Sequence, residues 1–440
     1  MSETIEHKCS KCGASIVFNP DSQTMICPYC GTLSDVLDTI SNDGNLRSKK
    51  KRKNANLTDE ELQYISEYQC VSCGGEIYAD DTTSATLCPY CGNAVILRGR
   101  VSGMLRPKKI IPFQISKEQA LEGLDRFIGS KHFVHKDFID RRKLDEVKGL
   151  YVPFWIFDAK ASGDITYDCV NQRVWTQGDY EYTERKYYSV RRAGDLEFHD
   201  LPVTASSKMS DDMMESIEPY DVSMSTNFIT GYLSGYIADR YDIEEESAFP
   251  RAEKRMFRSV QSELSATVHY DEVRISEKEM DMPWSRSRYV LYPVWMISSV
   301  WKDQVFTFAM NGQTGKTTGN LPVSWSRLLS VSALIIAFFT GLFAFISYEN
   351  GGDINTVMVT IGFILGLAIG IFFVVWYRKQ LKTVHYKEDA YDYYDYRISL
   401  RIKRDQYLYK EVTSRRINNN QNNGGGFNNR YRYVPNSVSH

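Results

Sequence analysis

Eight of the nine cysteines fall into four Cys-x-x-Cys pairs. The first set is Cys9, Cys12, Cys27 and Cys30; the second is Cys70, Cys73, Cys88 and Cys91. In each set fourteen residues, 13–26 and 74–87, separate the pairs. The second pair of each set reads Cys-Pro-Tyr-Cys-Gly, and the sets are offset by 61 residues, so they form an internal repeat. A Cys-x-x-Cys turn aims two thiolates at one ion, and the glycine that follows permits the positive φ the turn needs. Paired cysteines in a reducing compartment mean metal rather than disulfides. Four sulfur ligands favour tetrahedral Zn²⁺, an iron–sulfur or rubredoxin-like iron centre being the alternative. Four thiolates fill the tetrahedron and leave no position for a reacting water, so two structural zincs are expected. Segments this small bury little core, and metal binding would supply their folding energy.

The remaining constellations carry no chemistry of their own. Gly312, Gly315, Lys316 and Thr317 resemble a phosphate-binding loop, but Met310 stands where its first glycine belongs; Asn311-Gly312 suits a hairpin turn instead. His132 and His135 lack a third ligand, and Asp211, Asp212 and Glu215 suit the start of a helix. Cys169 reads as a buried small apolar residue. With no nucleophile elbow or nucleotide fingerprint, the expectation is a protein that is not an enzyme. Formal net charge is −2 over 440 residues. The first ribbon sets Lys8 and Lys11 against Glu3, Glu6 and Asp21, and the second sets Arg98 against Glu76, Asp80 and Asp81. Neither is a footprint for phosphate, so protein partners are expected and nucleic acid is not.

Two uncharged stretches, 328–348 and 354–376, must position all of this. As helices they would reach roughly 32–35 Å, enough for a hydrocarbon core of about 30 Å. Residues 349–353 (ENGGD) join them, which predicts a transmembrane hairpin over 327–377. Lys316 and Arg327 precede it, and Arg378, Lys379, Lys382 and Lys387 follow. That bias predicts a multi-pass protein of the cell membrane with both termini cytoplasmic. No charged-then-apolar leader opens the chain, so no cleaved signal is expected. Ala333, Ala337 and Gly341 form one small-residue stripe and Gly362, Gly366 and Gly370 another; either would serve the hairpin itself or a homo-oligomer.

The fold class expected is multidomain. A zinc ribbon occupies 1–33, a basic linker with a short helix over 59–68 occupies 34–67, and a second ribbon occupies 68–99. A mixed α+β cytosolic domain covers 100–326, and a cytosolic tail follows from 378 to 440, disordered from about 417. Arg47 to Lys53 carries six cations in seven residues, which suits a solvated spacer, then attraction to anionic lipid, and third a nucleic-acid-binding tail. Within 100–326, strands are expected at 109–114, 150–157, 164–169, 266–275, 291–297 and 305–310. Helices are expected at 116–127, with Ser116 as cap and Gln119 closing the capping box, and at 250–264. The runs LYVPFWI (150–156) and LYPVWM (291–296) share Leu-Tyr, a proline and a tryptophan, which predicts two duplicated α+β halves.

In this order, CPYCG (88–92), KIIPFQISKEQAL (109–121), GLYVPFWIFDA (149–159), LPVTASSKMSDDMMESIEPYD (201–221), LYPVWMI (291–297) and NGQTGKTTGNLPVS (311–324) precede the apolar hairpin. Together they resemble a bacterial, Gram-positive-type family of membrane-anchored TFIIB-type zinc-ribbon proteins. That family is often labelled replication-factor-Y or primosomal-helicase-like. The likeness spans roughly residues 68–385; the first ribbon, basic linker and Asn/Gly-rich tail go beyond it. The resemblance implies a scaffold role without catalysis, in which some members look like membrane docking points for phage-shock-type and SPFH-type proteins. The helicase label has no counterpart in these residues.

Overall fold

A computed structural model describes residues 8–38, 65–70, 74, 76–79, 88–90, 95–100, 106–131, 133–134, 138, 147–301, 304–351, 356–381, 383–384, 387–394, 398–417 and 431–432. The Arg47 to Lys53 run, His132 and His135 lie outside these. In chain order the strands are β1 (Val17–Asn19), β2 (Thr24–Ile26), β3 (Leu33–Ser34), β4 (Ser66–Cys70), β5 (Glu76–Ala79), β6 (Val95–Arg100), β7 (Lys109–Ile110), β8 (Lys148–Gln177) and β9 (Tyr180–Thr204). Then come β10 (Thr226–Asn227), β11 (Ile237–Asp239), β12 (Glu272–Trp301), β13 (Gln304–Asn311), β14 (Thr317–Gly319), β15 (Ser399–Arg416) and β16 (Tyr431–Arg432). The helices are α1 (Lys117–Gly129), α2 (Asp211–Ser216), α3 (Glu245–Ser265), α4 (Trp325–Gly351) and α5 (Thr356–Leu381). They divide into two compact units. One comprises Met1–Trp155, Val203–Ala248 and Arg288–Lys387; the other comprises Ile156–Pro202, Phe249–Ser287 and Glu388–His440.

Several expected elements differ in extent. Residues 66–68, expected as the end of a helix, lie in β4, which pairs antiparallel with both β5 and β6. Cys70 at its end is buried, and a two-sided ladder outweighs the local helical preference of DEELQYISEY. Ile65 is buried outside any helix, and residues 59–64 of that expected helix lie outside the described residues. The strand expected at 109–114 shortens to β7, because Gln114 and Ile115 turn away to donate to the Gly312 carbonyl. Conversely, the separate strands expected between 150 and 190 are one long hairpin, β8 and β9, turning at Gly178. α1 matches its expected start: Gln119 N–H donates to Ser116 Oγ, and the Gln119 side-chain oxygen accepts from Ser116 N–H.

In the first unit, β7 pairs parallel with β12 at Ile110↔Leu291, and β11 pairs parallel with β8 at Ile237↔Leu150. Around each parallel pair the same hydrogen bonds occur. The Trp295 indole donates to the Ile115 carbonyl at 3.0 Å, and the Trp155 indole to the Ile243 carbonyl at 2.8 Å. Gln114 and Ile115 N–H groups share the Gly312 carbonyl; Asp242 and Ile243 N–H groups share that of Ala205. Gly312 N–H donates to the Pro293 carbonyl, and Ala205 N–H to that of Pro153. Each set directly precedes a helix, α1 or α3. The prolines of LYVPFWI and LYPVWM therefore supply equivalent acceptors, and the tryptophans equivalent donors that keep buried indoles paired.

The second unit is built on β9, flanked by β8 and by β15. The β9–β15 ladder is antiparallel and runs from Ser399↔Asp195 to Arg416↔Tyr180. α3 covers this sheet through Ala252, Met256, Val260 and Leu264, buried at four-residue spacing. Gly163 makes the approach possible, since a Cβ there would lie 2.7 Å from Val260 Cγ1. Arg192, 1% exposed, is held by Asp405 Oδ1 at 2.5 Å, the Arg404 carbonyl at 3.3 Å and Thr267 Oγ1 at 3.2 Å. The Arg192 hydrogen bond holds the Asp405 carboxyl below its ordinary value. Cys169 is buried as expected, and burial pushes its thiol up to about 11.

α4 and α5 are long and apolar enough to cross a membrane. At 27 and 26 residues they would measure about 40 Å. Much of their surface is open, including Leu334 at 68% and Phe372 at 69%. They touch through one of the two small-residue stripes. Gly362, Gly366 and Gly370 are buried against α4, and a Cβ at Gly362 would meet Phe343 Cβ at 2.6 Å and the Phe339 carbonyl at 2.8 Å. Ala333, Ala337 and Gly341 are exposed, and Gly341 has nothing within 4 Å of where a Cβ would lie. Hydroxyls inside the helices are satisfied locally: Ser330, Thr340 and Thr360 donate to carbonyls four residues back, and Ser332 Oγ donates to the Gly370 carbonyl at 3.2 Å. An apolar solvent requires such pairing.

Candidate metal centre

The meander β1–β2–β3 carries the first cysteine set on two turns. Gly13 N–H donates to the Cys9 carbonyl at 2.8 Å and Gly31 N–H to the Cys27 carbonyl at 2.9 Å, with φ of +74° and +70°. Each turn thereby folds its two thiols to one side. The ligand atoms of Cys9, Cys12, Cys27 and Cys30 all lie within 4.8 Å of one another, with Cys9 Sγ 3.5 Å from Cys30 Sγ and Cys12 Sγ 3.5 Å from Cys27 Sγ. Four thiols so placed can hold one metal ion, and the donor set is that of a closed tetrahedral site.

The local electrostatics suit a cation. The Thr32 hydroxyl, 3.1 Å from Cys30 Sγ, and then the Thr32 backbone N–H lower the Cys30 thiol to about 6. The Lys11 backbone N–H, followed by that of Cys12, lowers Cys9. Cys12 moves the other way, to about 12. The Ala14 backbone N–H favours its thiolate, but the sulfurs of Cys27 and Cys30 outweigh that donor. The cluster alone therefore holds only part of the four negative charges; a divalent ion lets all four thiols ionise together.

The meander is fixed to the rest of its unit. Phe18 N–H donates to the Ser234 carbonyl at 3.1 Å, its ring lies 5.1 Å from that of Tyr232, and the Gln23 amide donates to the Phe113 carbonyl at 2.8 Å. Sequence reasoning singled out neither Phe18 and Gln23 nor Thr32. The apolar Phe18 inside a small cysteine-rich segment was the available signal for docking.

Of the second set, Cys70 and Cys88 are buried, while Cys73 and Cys91 lie outside the described residues. Gly74 repeats the turn geometry, with φ +71° and its N–H 3.0 Å from the Cys70 carbonyl. The two Cys-Pro-Tyr-Cys turns differ in their surroundings. Tyr29 is 82% exposed, whereas burial raises the Tyr90 phenol well above its ordinary value. Ser298 Oγ donates to the Pro89 carbonyl at 3.0 Å, tying this second turn to β12.

The chain is 33% identical over 339 residues to the uncharacterized protein YdjG of Bacillus subtilis (strain 168), an alignment covering 77% of this chain and 94% of that protein. The chain belongs to the YdjG family. No family model matches the chain, and no solved structure does. The YdjG-family chain thus joins, in one polypeptide, a four-cysteine cluster, a mixed sheet and two apolar helices. The turn at 311–316 is no phosphate loop in it. Asn311 Oδ1 accepts from Gln313 and Thr314 N–H at 2.8 and 3.0 Å, closing a tight link between β13 and β14.

Proposed function

We propose that this protein is a cytosol-facing, membrane-anchored zinc-ribbon adaptor that docks protein partners at the bilayer. The observation that carries the reading is the placement of the apolar hairpin between strands of one ladder. β9 precedes α4 and α5 in the chain and β15 follows them, yet β9 and β15 pair along their length. A ladder cannot form across a bilayer, so the chain crosses an even number of times between them: both helices cross, or neither does. Open side chains such as Leu334 and Phe372 would be costly in water and suit lipid. The cations at the C-terminal end of α5 favour the cytoplasm for that end in this reading, and with it for both termini. Lys316 adds less to that bias than its position suggests, since its ammonium donates to the Glu218 carbonyl.

Both cysteine sets hold structural Zn²⁺ in this reading, the second completed by Cys73 and Cys91. The twice-repeated bonding around Trp155 and Trp295 supports an internal duplication in which each half lends its first strand to the other. The resemblance to the TFIIB-type zinc-ribbon membrane family adds the class of partner, phage-shock-type or SPFH-type proteins in envelope stress. The test is recovery of the intact protein from membranes with and without nuclease. A discrete protein partner insensitive to nuclease is expected; loss of every partner on nuclease treatment refutes the adaptor in favour of a membrane-tethered nucleic-acid binder.

A further inference from the structure

Beside the last turns of α5 lies a cleft of about 410 Å³. Its walls are apolar: Leu321 and Val323 from the segment entering α4, and Val374 and Val375 from α5. Arg378 and Lys379 line the same cleft, with Asn320 alongside, and among the described residues no carboxylate lines it. Val374 and Val375 stand four residues before Arg378 and Lys379, so apolar and cationic side chains follow one another on one helix face. The Arg378 guanidinium carbon lies 5.4 Å from the centroid of the Trp325 ring, an aromatic that also orients it. Lys131 Nζ, 3.4 Å from the Gln380 carbonyl, adds a further cation at this helix end.

We propose that this cleft binds one anionic phospholipid. Its phosphate meets Arg378 and Lys379, and its upper acyl carbons lie on the Leu321, Val323, Val374 and Val375 wall. The inference rests on the membrane reading above, which puts the end of α5 at headgroup depth. The volume is near the lower end for ligand pockets and suits a headgroup with its first methylenes rather than a whole lipid. A zwitterionic lipid satisfies the wall but presents its own cation to the arginine and lysine. Free phosphate satisfies the cations but leaves the wall in water. Each cation near an anionic headgroup is worth about five-fold in affinity, so the pair is worth about thirty-fold.

The experiment uses the full chain, delipidated in detergent, titrated with phosphatidylglycerol or with phosphatidylcholine of the same acyl chains and read by native mass spectrometry. Tens-fold preference for phosphatidylglycerol is expected in the unmodified protein, abolished in R378Q/K379Q while phosphatidylcholine binding stays unchanged. Equal retention of the two lipids by the unmodified protein overturns the site and requires no variant. Displacement of phosphatidylglycerol by millimolar inorganic phosphate overturns it as well, since the site then recognises the free anion. Carbonate extraction of cell membranes separates the two levels of inference. A protein that resists extraction but shows no lipid preference loses the site and keeps the hairpin; a protein that is extracted loses both.

Discussion

Replacing the buried glycines of α5 by alanine one at a time gives a graded test of the hairpin. A Cβ at Gly362 would stand 2.6 Å from Phe343 Cβ and 2.8 Å from the Phe339 carbonyl oxygen; at Gly366 it would stand 2.9 Å from Ile336 Cα. At Gly370 the nearest atom is the Ser332 carbonyl oxygen at 3.5 Å, ordinary contact. Carbon pairs are comfortable at about 3.5–4.0 Å, so Gly362→Ala and Gly366→Ala push the helices apart by roughly 0.6–1 Å. The clashing atoms include backbone, which no rotamer change moves aside. Overpacking of this kind costs about 1–3 kcal/mol. Loss of a bond such as Ser332 to the Gly370 carbonyl would add roughly 0.6 kcal/mol in a bilayer. Gly370→Ala should stay within about 0.5 kcal/mol of the unmodified chain. The assay is reversible unfolding of the full chain in mixed micelles by added denaturing detergent, followed by tryptophan fluorescence. The order expected is Gly362→Ala and Gly366→Ala well below Gly370→Ala. Three equal variants, or Gly370→Ala the weakest, would refute the packing argument.

Metal analysis of the purified protein should find two zinc ions per chain; Cys30→Ser should remove one, and a stoichiometry of one in the unmodified chain removes the second site. Asp405→Asn should destabilise by about 1–2 kcal/mol, because it strips the charge partner from a buried guanidinium while the carboxylate itself is partly open to water. Asp405 is held below its ordinary 3.8, so its contribution is complete above that value and is lost as pH falls through the lower folded one. The stability gap between unmodified chain and Asp405→Asn should therefore close below about pH 4, and a gap independent of pH would contradict the pairing. Trp155→Phe and Trp295→Phe each remove one indole donor from a carbonyl. They should cost similar amounts, about 1 kcal/mol apiece in chemical denaturation; widely different costs would count against equivalent roles.

The cysteine spacing made the first four-cysteine cluster readable, because a Cys-x-x-Cys-Gly turn is a local object whose geometry needs no distant partner. The hairpin was readable for the same reason: length and absence of charge depend on the segment alone. The repeated bonding around Trp155 and Trp295 was visible only as a shared Leu-Tyr, proline and tryptophan, since the strands it surrounds pair between distant segments, Ile110 with Leu291 and Leu150 with Ile237. The extent of β8, β9 and β12 was not readable either. Alternation breaks where strands such as 150–157 are buried on both faces, so each strand looked like several. Which stripe of small residues faced the partner helix was likewise beyond a one-dimensional pattern. Gly362, Gly366 and Gly370 carry no Cβ to hold the helices apart, whereas Ala333 and Ala337 do.

The ladder between β9 and β15 also sets a schedule for synthesis. β9 leaves the ribosome about two hundred residues before its neighbour, with one edge bare. That edge cannot be closed until both apolar helices have been made, because they lie between the two strands in the chain. On the membrane reading proposed above, insertion therefore comes before completion of the second unit. A nascent chain held up at the translocation machinery exposes an unfinished strand to the cytosol for as long as the delay lasts. Chains whose hairpin inserts slowly should be the ones found with chaperones, their defect read out far from the helices that cause it.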